Sequence, residues 1–400
     1  MARRVAYILR YFPKLSETFI VEEIAALAEA GLIVSILARS DAGEPVVNPR
    51  AEPMRGRATW LDQMGRRHQL RLAGGVLVRH PIAGLRATLL ALRQKSRLCL
   101  ANLFYGLVLA AEATRRGFDL LHAHFADTAG EMAFFASLVS GIPYSLTIHA
   151  TDIYNCRMLC REIRHAALTV TVCRYNIDQI VQRCPDVDPG KLMVKYAGVD
   201  PQLFRRSSPP AERTHDRVLS IGRLVDKKGF PVLLEALGRL RAEGRNTTCL
   251  IVGEGDQRPE LEERIRSLGL EAAVELPGWL PPEQIRQEME RADVLVCPST
   301  LAGWGDRDSM PVVVKEAMAM ELPVVASADF GIPEMVEPET GILVPRDDPD
   351  ALSQAVARIL DMTLAERHRM GRAGRAVVIE RFNERAGAVE LARRYAAIGS

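Results

Sequence analysis

The chain has 400 residues, 48% of them hydrophobic, and its 52 basic and 50 acidic side chains leave a formal charge of +2. A length of this order suits two domains at about 100 to 200 residues each, the apolar share is enough for two cores, and the near-neutral balance gives no global case for nucleic-acid binding. Seven irregularly spaced cysteines, an odd number, point to a reduced chain rather than a disulfide framework, and the nearest pair, Cys156 and Cys160, has no His/Cys set at zinc spacing beside it.

Apolar runs and helical periodicities alternate along the chain, the pattern of parallel sheets covered on both faces. The opening MARRVAYILRYFP is too short in its apolar part for a signal peptide and reads as a first strand over residues 5–9. A helix over 18–30 follows, stopped by Gly31, and then a strand over 33–37. Further on come a strand at 119–122, a helix at 128–140 closed by Gly141, and strands at 144–148, 169–172 and 192–196. Residues 201–217, PQLFRRSSPPAERTHDR, interrupt the periodicity with Pro, Ser and charge, as a linker does. Strands resume at 218–221, 249–252, 274–276, 294–297 and 323–326 with helices between them. No run approaches the roughly 20 apolar residues of a spanning helix. The expected fold class is α/β, two doubly wound Rossmann-like domains facing each other across a cleft.

The segment DSMPVVVKEAMA sets Asp308 on a loop before a helix and Glu316 two turns into it, with Pro311 near the first turn, where a missing N–H costs nothing. Two such acceptors grip two hydroxyl-bearing parts of one ligand. Between them, the backbone around Met310, Pro311 and Val312 offers free N–H groups and a helix dipole to a phosphate. A sugar nucleotide has hydroxyls at both ends and a diphosphate between. Taken alone, the pair reads equally well as a loop acid and a solvated helix residue. In SIGRLVDKKGF an apolar run ends at Gly222, and Arg223 and Lys228 follow in a loop before a helix starting near Pro231. In an open parallel sheet that loop lies at the carboxyl end of a strand, where ligands bind, and two cations there suit a diphosphate. VGEGD, from Val252 to Asp256, lacks the third glycine of a dinucleotide fingerprint, which argues against a nicotinamide dehydrogenase.

In the first half, FPKLSETFI places Ser16 and Thr18 at a helix entrance, where they serve a diphosphate or act as ordinary N-caps. His149 directly follows the strand at 144–148, with Asp152 three residues on, while His122 and His124 in LHAHF are expected to be structural. Between residues 55 and 97 there are ten Arg or Lys and one acid, Asp62. On a helix beginning near Pro81, the spacing of Arg79, Arg86, Arg93 and Arg97 makes a basic stripe beside an apolar one of Ile82, Leu85, Leu89 and Leu92. Paired stripes of this kind suit an anionic membrane surface; the alternative is a helix packed on its own domain with solvated arginines.

GRLVDKKG, DSMPVVVKEAMAMELPVVAS and FGIPEMVEPETGILVP, in that order, resemble the donor-binding half of family 4 retaining glycosyltransferases, which have the GT-B fold. YFPKLSETFIVEEIAAL and LLHAHFADTAGEMAFFASLVSGIPYSLTIHATDIY resemble the branch that builds bacterial exopolysaccharides of the colanic-acid type. The resemblance covers nearly the whole chain except roughly residues 41–100. It implies an acceptor-side domain over 1–205, a donor domain over 206–380 and a last helix in 381–400 that crosses back to the first domain. It further implies a hexosyltransferase using a UDP- or GDP-linked sugar, with no metal and no other cofactor. The acceptor would be a saccharide or lipid-linked saccharide, and the enzyme cytoplasmic or peripheral on the inner face of the cell membrane. By the same resemblance His149 approaches the donor sugar, Asp308 faces its hydroxyls, Glu316 faces the ribose, and backbone near Gly253 and Gly278 receives the base. Attack comes from the front face, the departing phosphate taking the acceptor's proton, so Asp308 and Glu316 are donor holders rather than an acid/base pair. The family usually has Glu in place of Asp308 and Gly in place of Glu321. Those departures leave two alternatives open: a catalytically silent GT-B protein that binds nucleotide sugar or organises assembly, and a nucleotide-sugar epimerase.

Overall fold

Residues 5–9 are all buried, with no inside–outside alternation, as a strand covered on both faces requires. They lie in the first of two parallel sheets in the computed structural model, which describes residues 3–14, 17–44, 50–208, 216–303 and 305–398. The chain divides into one unit of Met1–Tyr196 with Glu384–Ser400 and a second of Ala197–Asn383. This crossing precedes the boundary read from the sequence because the linker's first residues already belong to the second unit. Arg375 holds the carbonyls of Pro201 and Phe204, and Val199 bridges to Asn383. Residues 209–215, the middle of that linker, lie outside the described residues.

The first unit runs β1 (Arg4–Tyr11), α1 (Thr18–Glu29), β2 (Ile33–Ser40), α2 (Glu52–Arg55), β3 (Thr59–Trp60), α3 (Arg66–Arg79), α4 (Pro81–Arg93) and α5 (Arg97–Arg116). It continues with β4 (Leu120–His124), α6 (Thr128–Ser140), β5 (Tyr144–Ile148), α7 (Ala150–Asn155), α8 (Leu159–His165), β6 (Leu168–Thr171), α9 (Arg174–Arg183) and β7 (Leu192–Val194). The strand order is β3-β2-β1-β4-β5-β6-β7, so the direction of winding reverses between β1 and β4. The carboxyl ends of strands at such a reversal are where open α/β sheets bind ligands. On α1, Ile20, Val21, Ile24 and Leu27 bury one face at helical spacing.

The poorly matching stretch forms α3, α4 and α5, and the basic stripe read from its spacing is not on one helix. Arg79 ends α3, Arg86 and Arg93 lie on α4, and Arg97 opens α5. Pro81 starts a new helix behind a non-helical His80, so α3 and α4 meet at 115°, and Lys95 at φ 50° breaks the path into α5. Ser96 caps α5 by accepting the Cys99 N–H at 3.3 Å, and α5 packs closely on α6. A Cβ at Gly106 would stand 2.8 Å from Phe135 Cβ, so only glycine permits that approach. By length and composition α5 is apolar enough to cross a membrane, contrary to the sequence expectation, but 56% of its most apolar window is buried, as in a core helix.

The cysteine expectation also needs correction. Cys160 on α8 and Cys184 just after α9 form a disulfide with a Cα–Cα distance of 5.3 Å, while Cys99, Cys156, Cys173, Cys249 and Cys297 are buried and outside any disulfide. An odd count and irregular spacing say nothing about which helix ends the fold brings together.

The second unit runs β8 (Asp216–Ile221), α10 (Phe230–Ala242), β9 (Thr247–Val252), α11 (Arg258–Ser267), β10 (Val274–Gly278), α12 (Pro282–Arg291) and β11 (Val294–Cys297). It ends with α13 (Val312–Ala319), β12 (Val324–Ser327), β13 (Gly341–Val344), α14 (Pro349–Leu360) and α15 (Leu364–Arg381). The strand order is β10-β9-β8-β11-β12-β13, with its reversal between β8 and β11. The last helix, α16 (Glu384–Ala397), returns to the first unit, where its Ala388, Leu391 and Tyr395 join the core formed by β1 and α1.

Candidate active site

In the second unit, the sequence-read donor residues gather at the reversal point. Arg223 and Lys228 occupy the loop after β8, and Asp306 and Asp308 the loop after β11. Gly229 allows these loops to touch, because a Cβ there would overlap the Pro298 carbonyl at 1.9 Å. Lys228 Nζ lies 2.5 Å from Asp308 Oδ2, and Lys227 Nζ 2.9 Å from Asp306 Oδ2. Burial opposes both charges of the first pair. Lys228, then Lys227, nevertheless hold the Asp308 carboxyl below its ordinary range, and Asp308 holds the Lys228 ammonium above its own. Arg223 is exposed and has no ion-pair partner among the described residues. The loop therefore offers one open cation, Arg223, and two lysines already shared with carboxylates.

Pro311 is extended and forms the N-cap of α13, no side chain caps that helix, and Met310 is buried just before it. The N–H groups of Val312 and Val313 are thus left for an anion, while that of Val314 donates to the Pro311 carbonyl at 3.3 Å. Glu316 lies partly exposed in the second turn of α13, as its spacing from Asp308 predicts. The helix ends on Glu321 at φ 57°, so the position where the family has Gly does require a left-handed backbone. The Glu321 carboxylate faces His368 Nε2 at 3.3 Å, and its carbonyl presses on Gly371, where a Cβ would approach to 2.0 Å. At the ends of β9 and β10, the Gly253 N–H donates to the Gly278 carbonyl at 2.9 Å, and a Cβ on Gly253 would stand 1.9 Å from the Gly222 carbonyl. Gly222, Gly253 and Gly278 therefore bring the backbones at these strand ends close together beside Arg223, with the Lys228 side chain over Gly222 and the Glu254 side chain over Gly278.

In the first unit, His149 follows β5 at the N-cap of α7, where the Asp152 carboxylate accepts the His149 N–H at 2.8 Å and the Asp152 N–H donates to the His149 carbonyl at 3.1 Å. Its ring lies 4.3 Å from that of Phe125 and 5.1 Å from that of Phe19, and its Nε2 is 3.4 Å from His124 Nδ1. Burial, then the neighbouring His124, push the His149 pKa down to about 3, so the ring is neutral at pH 7. Ser16 lies outside the described residues, and Thr18 opens α1 behind Glu17, whose side chain makes no cap bond.

Behind His149 lies a buried polar cluster that the sequence reading missed apart from its histidines. Glu23 Oε1 accepts from Tyr7 O–H at 2.6 Å and faces His124 Nε2 at 2.9 Å. Glu23 Oε2 meets Lys195 Nζ at 2.8 Å, and Lys195 also reaches Glu384 Oε1 at 2.7 Å. Burial would raise the Glu23 carboxyl, but Lys195 and both histidines outweigh it and hold it well below the ordinary range. His122 fills its own place, with Nδ1 2.8 Å from Ser145 Oγ and Nε2 3.2 Å from Thr147 Oγ1. Burial, then His124, keep it neutral. Glu23, His122 and His124 bring their ligand atoms within 4.8 Å of one another, close enough to hold a metal ion. The Lys195 ammonium, however, already supplies the positive charge at Glu23, and two hydroxyls meet the His122 nitrogens, so the donor set fits a hydrogen-bonded core.

Two family models cover most of the chain: Glycosyltransferase Family 4 matches residues 16–203, and Glycosyl transferases group 1 matches residues 203–377. A putative colanic acid biosynthesis glycosyltransferase, WcaL of Escherichia coli K12, is 28% identical over 97% of this chain and 98% of its own. Amylovoran biosynthesis glycosyltransferase AmsK of Erwinia amylovora is 36% identical over 45% of this chain and 44% of its own. Among solved structures, Anabaena Alr3699/HepE in complex with UDP superposes with a TM-score of 0.73 at 18% identity, covering 98% of this chain and 99% of its own.

Proposed function

This chain belongs to the group 1 and family 4 glycosyltransferases, and from that premise we propose that it is a retaining hexosyltransferase acting on a UDP- or GDP-linked sugar. The acceptor in this reading is a lipid-linked or growing cell-surface polysaccharide precursor, as the names of WcaL and AmsK suggest for those proteins. The observation that carries the reading is the meeting, at the reversal point of the second sheet, of Arg223, the Lys228–Asp308 pair and the uncapped start of α13. Arg223, Lys228 and the α13 N–H groups receive the charge that builds on the leaving diphosphate. Asp308 takes the hydroxyls of the transferred sugar, Glu316 the ribose, and the glycine backbone around Gly253 and Gly278 the base. HepE is known in complex with UDP and with UDP-glucose, which supports a nucleotide-sugar donor in this reading.

His149, neutral and held at the N-cap of α7 by the Asp152 carboxylate on its N–H, is the first unit's contribution to the reaction. A neutral ring gives a sugar hydroxyl a dipole to bind without adding a second positive charge. The mechanism is front-face, the departing phosphate taking the acceptor's proton, and the fixed cations and helix dipole make a metal unnecessary. A thermal-shift panel of nucleotides and nucleotide sugars tests the assignment, because a ligand of the folded state raises its stability. Stabilisation by one sugar nucleotide with slow donor hydrolysis supports it. Binding without hydrolysis, or conversion of the sugar without an acceptor, points instead to the silent or the epimerising alternative.

The same reading makes the enzyme peripheral on the inner face of a membrane. Val78, Ile82 and Leu85 are 80%, 69% and 61% exposed at the bend between α3 and α4. Beside them a shallow cavity of about 620 Å³ is lined by Arg86, Arg93, Arg161 and Arg164 together with Leu89 and Phe134. An apolar patch of this kind bordered by cations suits acyl chains and anionic headgroups.

A further inference from the structure

We propose that Glu23, fastened by Lys195 and Glu384, is a positioning residue that sets the proton arrangement of His149 through His124. The consequence for turnover rests on His149 acting in the reaction; the proton arrangement itself does not.

Glu23 projects from α1 into the core, 4% exposed, and both of its oxygens are engaged. Lys195 donates to Oε2 at 2.8 Å, and Tyr7 O–H donates to Oε1 at 2.6 Å. An ionised carboxylate only accepts, so the ring nitrogen 2.9 Å from Oε1 must be an N–H, which puts the His124 proton on Nε2. A neutral imidazole has one such proton, leaving His124 Nδ1 bare. That bare nitrogen is the atom facing His149 Nε2 at 3.4 Å, so the His149 proton also belongs on Nε2. His149 Nδ1 is then bare, and it is the ring atom left to accept from a sugar hydroxyl. Stacking with Phe19 holds both rings, at 6.1 Å for His124 and 5.1 Å for His149.

The chain of contacts begins far away in sequence. Glu384, at the start of α16, supplies the second anion on Lys195, with the second unit intervening in the sequence between them. The anchoring of the last helix is thereby tied to His149 through Lys195, Glu23 and His124. Hydrogen-bonding partners behind a working histidine fix its tautomer and ring orientation.

The test is the nitrogen-15 spectrum of histidine-labelled full-length protein at pH 8, with long-range proton correlations assigned by His124→Asn and His149→Asn variants. The expected result is Nε2–H on both rings. A proton on Nδ1 of either ring, or on both nitrogens of His124, overturns the proposal. In Glu23→Gln the amide oxygen turns to Lys195 and its NH₂ group to His124 Nε2, so both tautomers should invert to Nδ1–H. Donor hydrolysis should then lose roughly tenfold or more in kcat, with KM within about threefold. Unchanged tautomers in a folded Glu23→Gln protein refute the proposal, as does an inverted pair with unchanged kcat. Glu384→Gln should keep both tautomers, since Glu23 remains a carboxylate. If Glu23→Gln does not fold, the wild-type spectrum decides. Failure of the functional reading looks different: no turnover of any donor, with both protons on Nε2, removes the transferase assignment and leaves the positioning chain intact.

Discussion

Replacing Asp308 by Asn should strengthen binding of a free nucleoside diphosphate while weakening transfer. The Asp308 carboxylate sits 2.5 Å from Lys228 Nζ, and the two side chains are only 20% and 16% exposed, so an incoming diphosphate must share an ammonium that is already engaged. Two anions about 5 Å apart on either side of one cation repel by about 3 kcal/mol at an effective dielectric of 20, and by roughly half that where solvent penetrates. Removing the carboxylate should therefore tighten UDP or GDP binding by about 1 to 2 kcal/mol, or roughly 5- to 30-fold. Transfer and donor hydrolysis should fall at the same time, because the amide is a weaker acceptor for the sugar hydroxyls. Titration calorimetry at fixed ionic strength reads the first effect, and product release from the preferred donor reads the second. In a Lys228→Gln background the carboxylate still repels the diphosphate, so Asp308→Asn should still tighten binding there, from a weaker starting affinity. Equal or weaker nucleotide binding by Asp308→Asn in either background refutes the repulsion argument.

Lys195→Met leaves Glu23 and Glu384 buried without a counter-ion and should cost about 3 to 5 kcal/mol. In a unit of this size that is a fall in Tm of roughly 6 to 20 °C by calorimetry, and a fall of under about 3 °C would contradict the buried-pair account. Acid should destabilise the first unit through groups that include Glu23, His122 and His149, all with lowered folded pKa values. Glu23 contributes stability above its unfolded value, lost as pH falls through its folded one. The neutral His149 ring contributes fully above about pH 6.5 and loses that contribution as pH falls toward about 3. Denaturant midpoints should be flat from about pH 7 to 8 and decline below about 6; a flat profile down to about pH 4.5 would refute the neutral-histidine assignment, and the Glu23 loss should set in only below about pH 4.5. Finally, Ile82→Asn with Leu85→Asn should abolish flotation with anionic vesicles while leaving the melting profile within about 1 kcal/mol, because both side chains already face solvent. Unchanged, salt-insensitive flotation would remove the membrane reading.

The alternating strands and helices were legible because each is a local pattern. The helix at 128–140 and the strand at 144–148 were read with the bounds they have in the structure, since Gly141 stops one and Pro143 precedes the other. The placement of Asp308, Pro311 and Glu316 was legible for a similar reason: all three lie within one turn-and-helix segment. What escaped was built by contacts distant in sequence. The disulfide joins helix ends that spacing alone does not relate, and the basic stripe failed because a continuous helix was assumed through His80 and Lys95. The Glu23 cluster escaped for a subtler reason, although each member left a trace. Glu23 falls on the buried face of α1 between Ile20, Ile24 and Leu27, and Lys195 follows the buried β7 residue Met193. A charge where the period demands an apolar side chain has either a buried partner or no reason to be there, since an unpaired buried ion is costly. Two such misfits of opposite sign in one unit predict each other. With that rule the Glu23–Lys195 pair was within reach of the sequence, whereas its extension to Glu384 depended on α16 returning to the first unit.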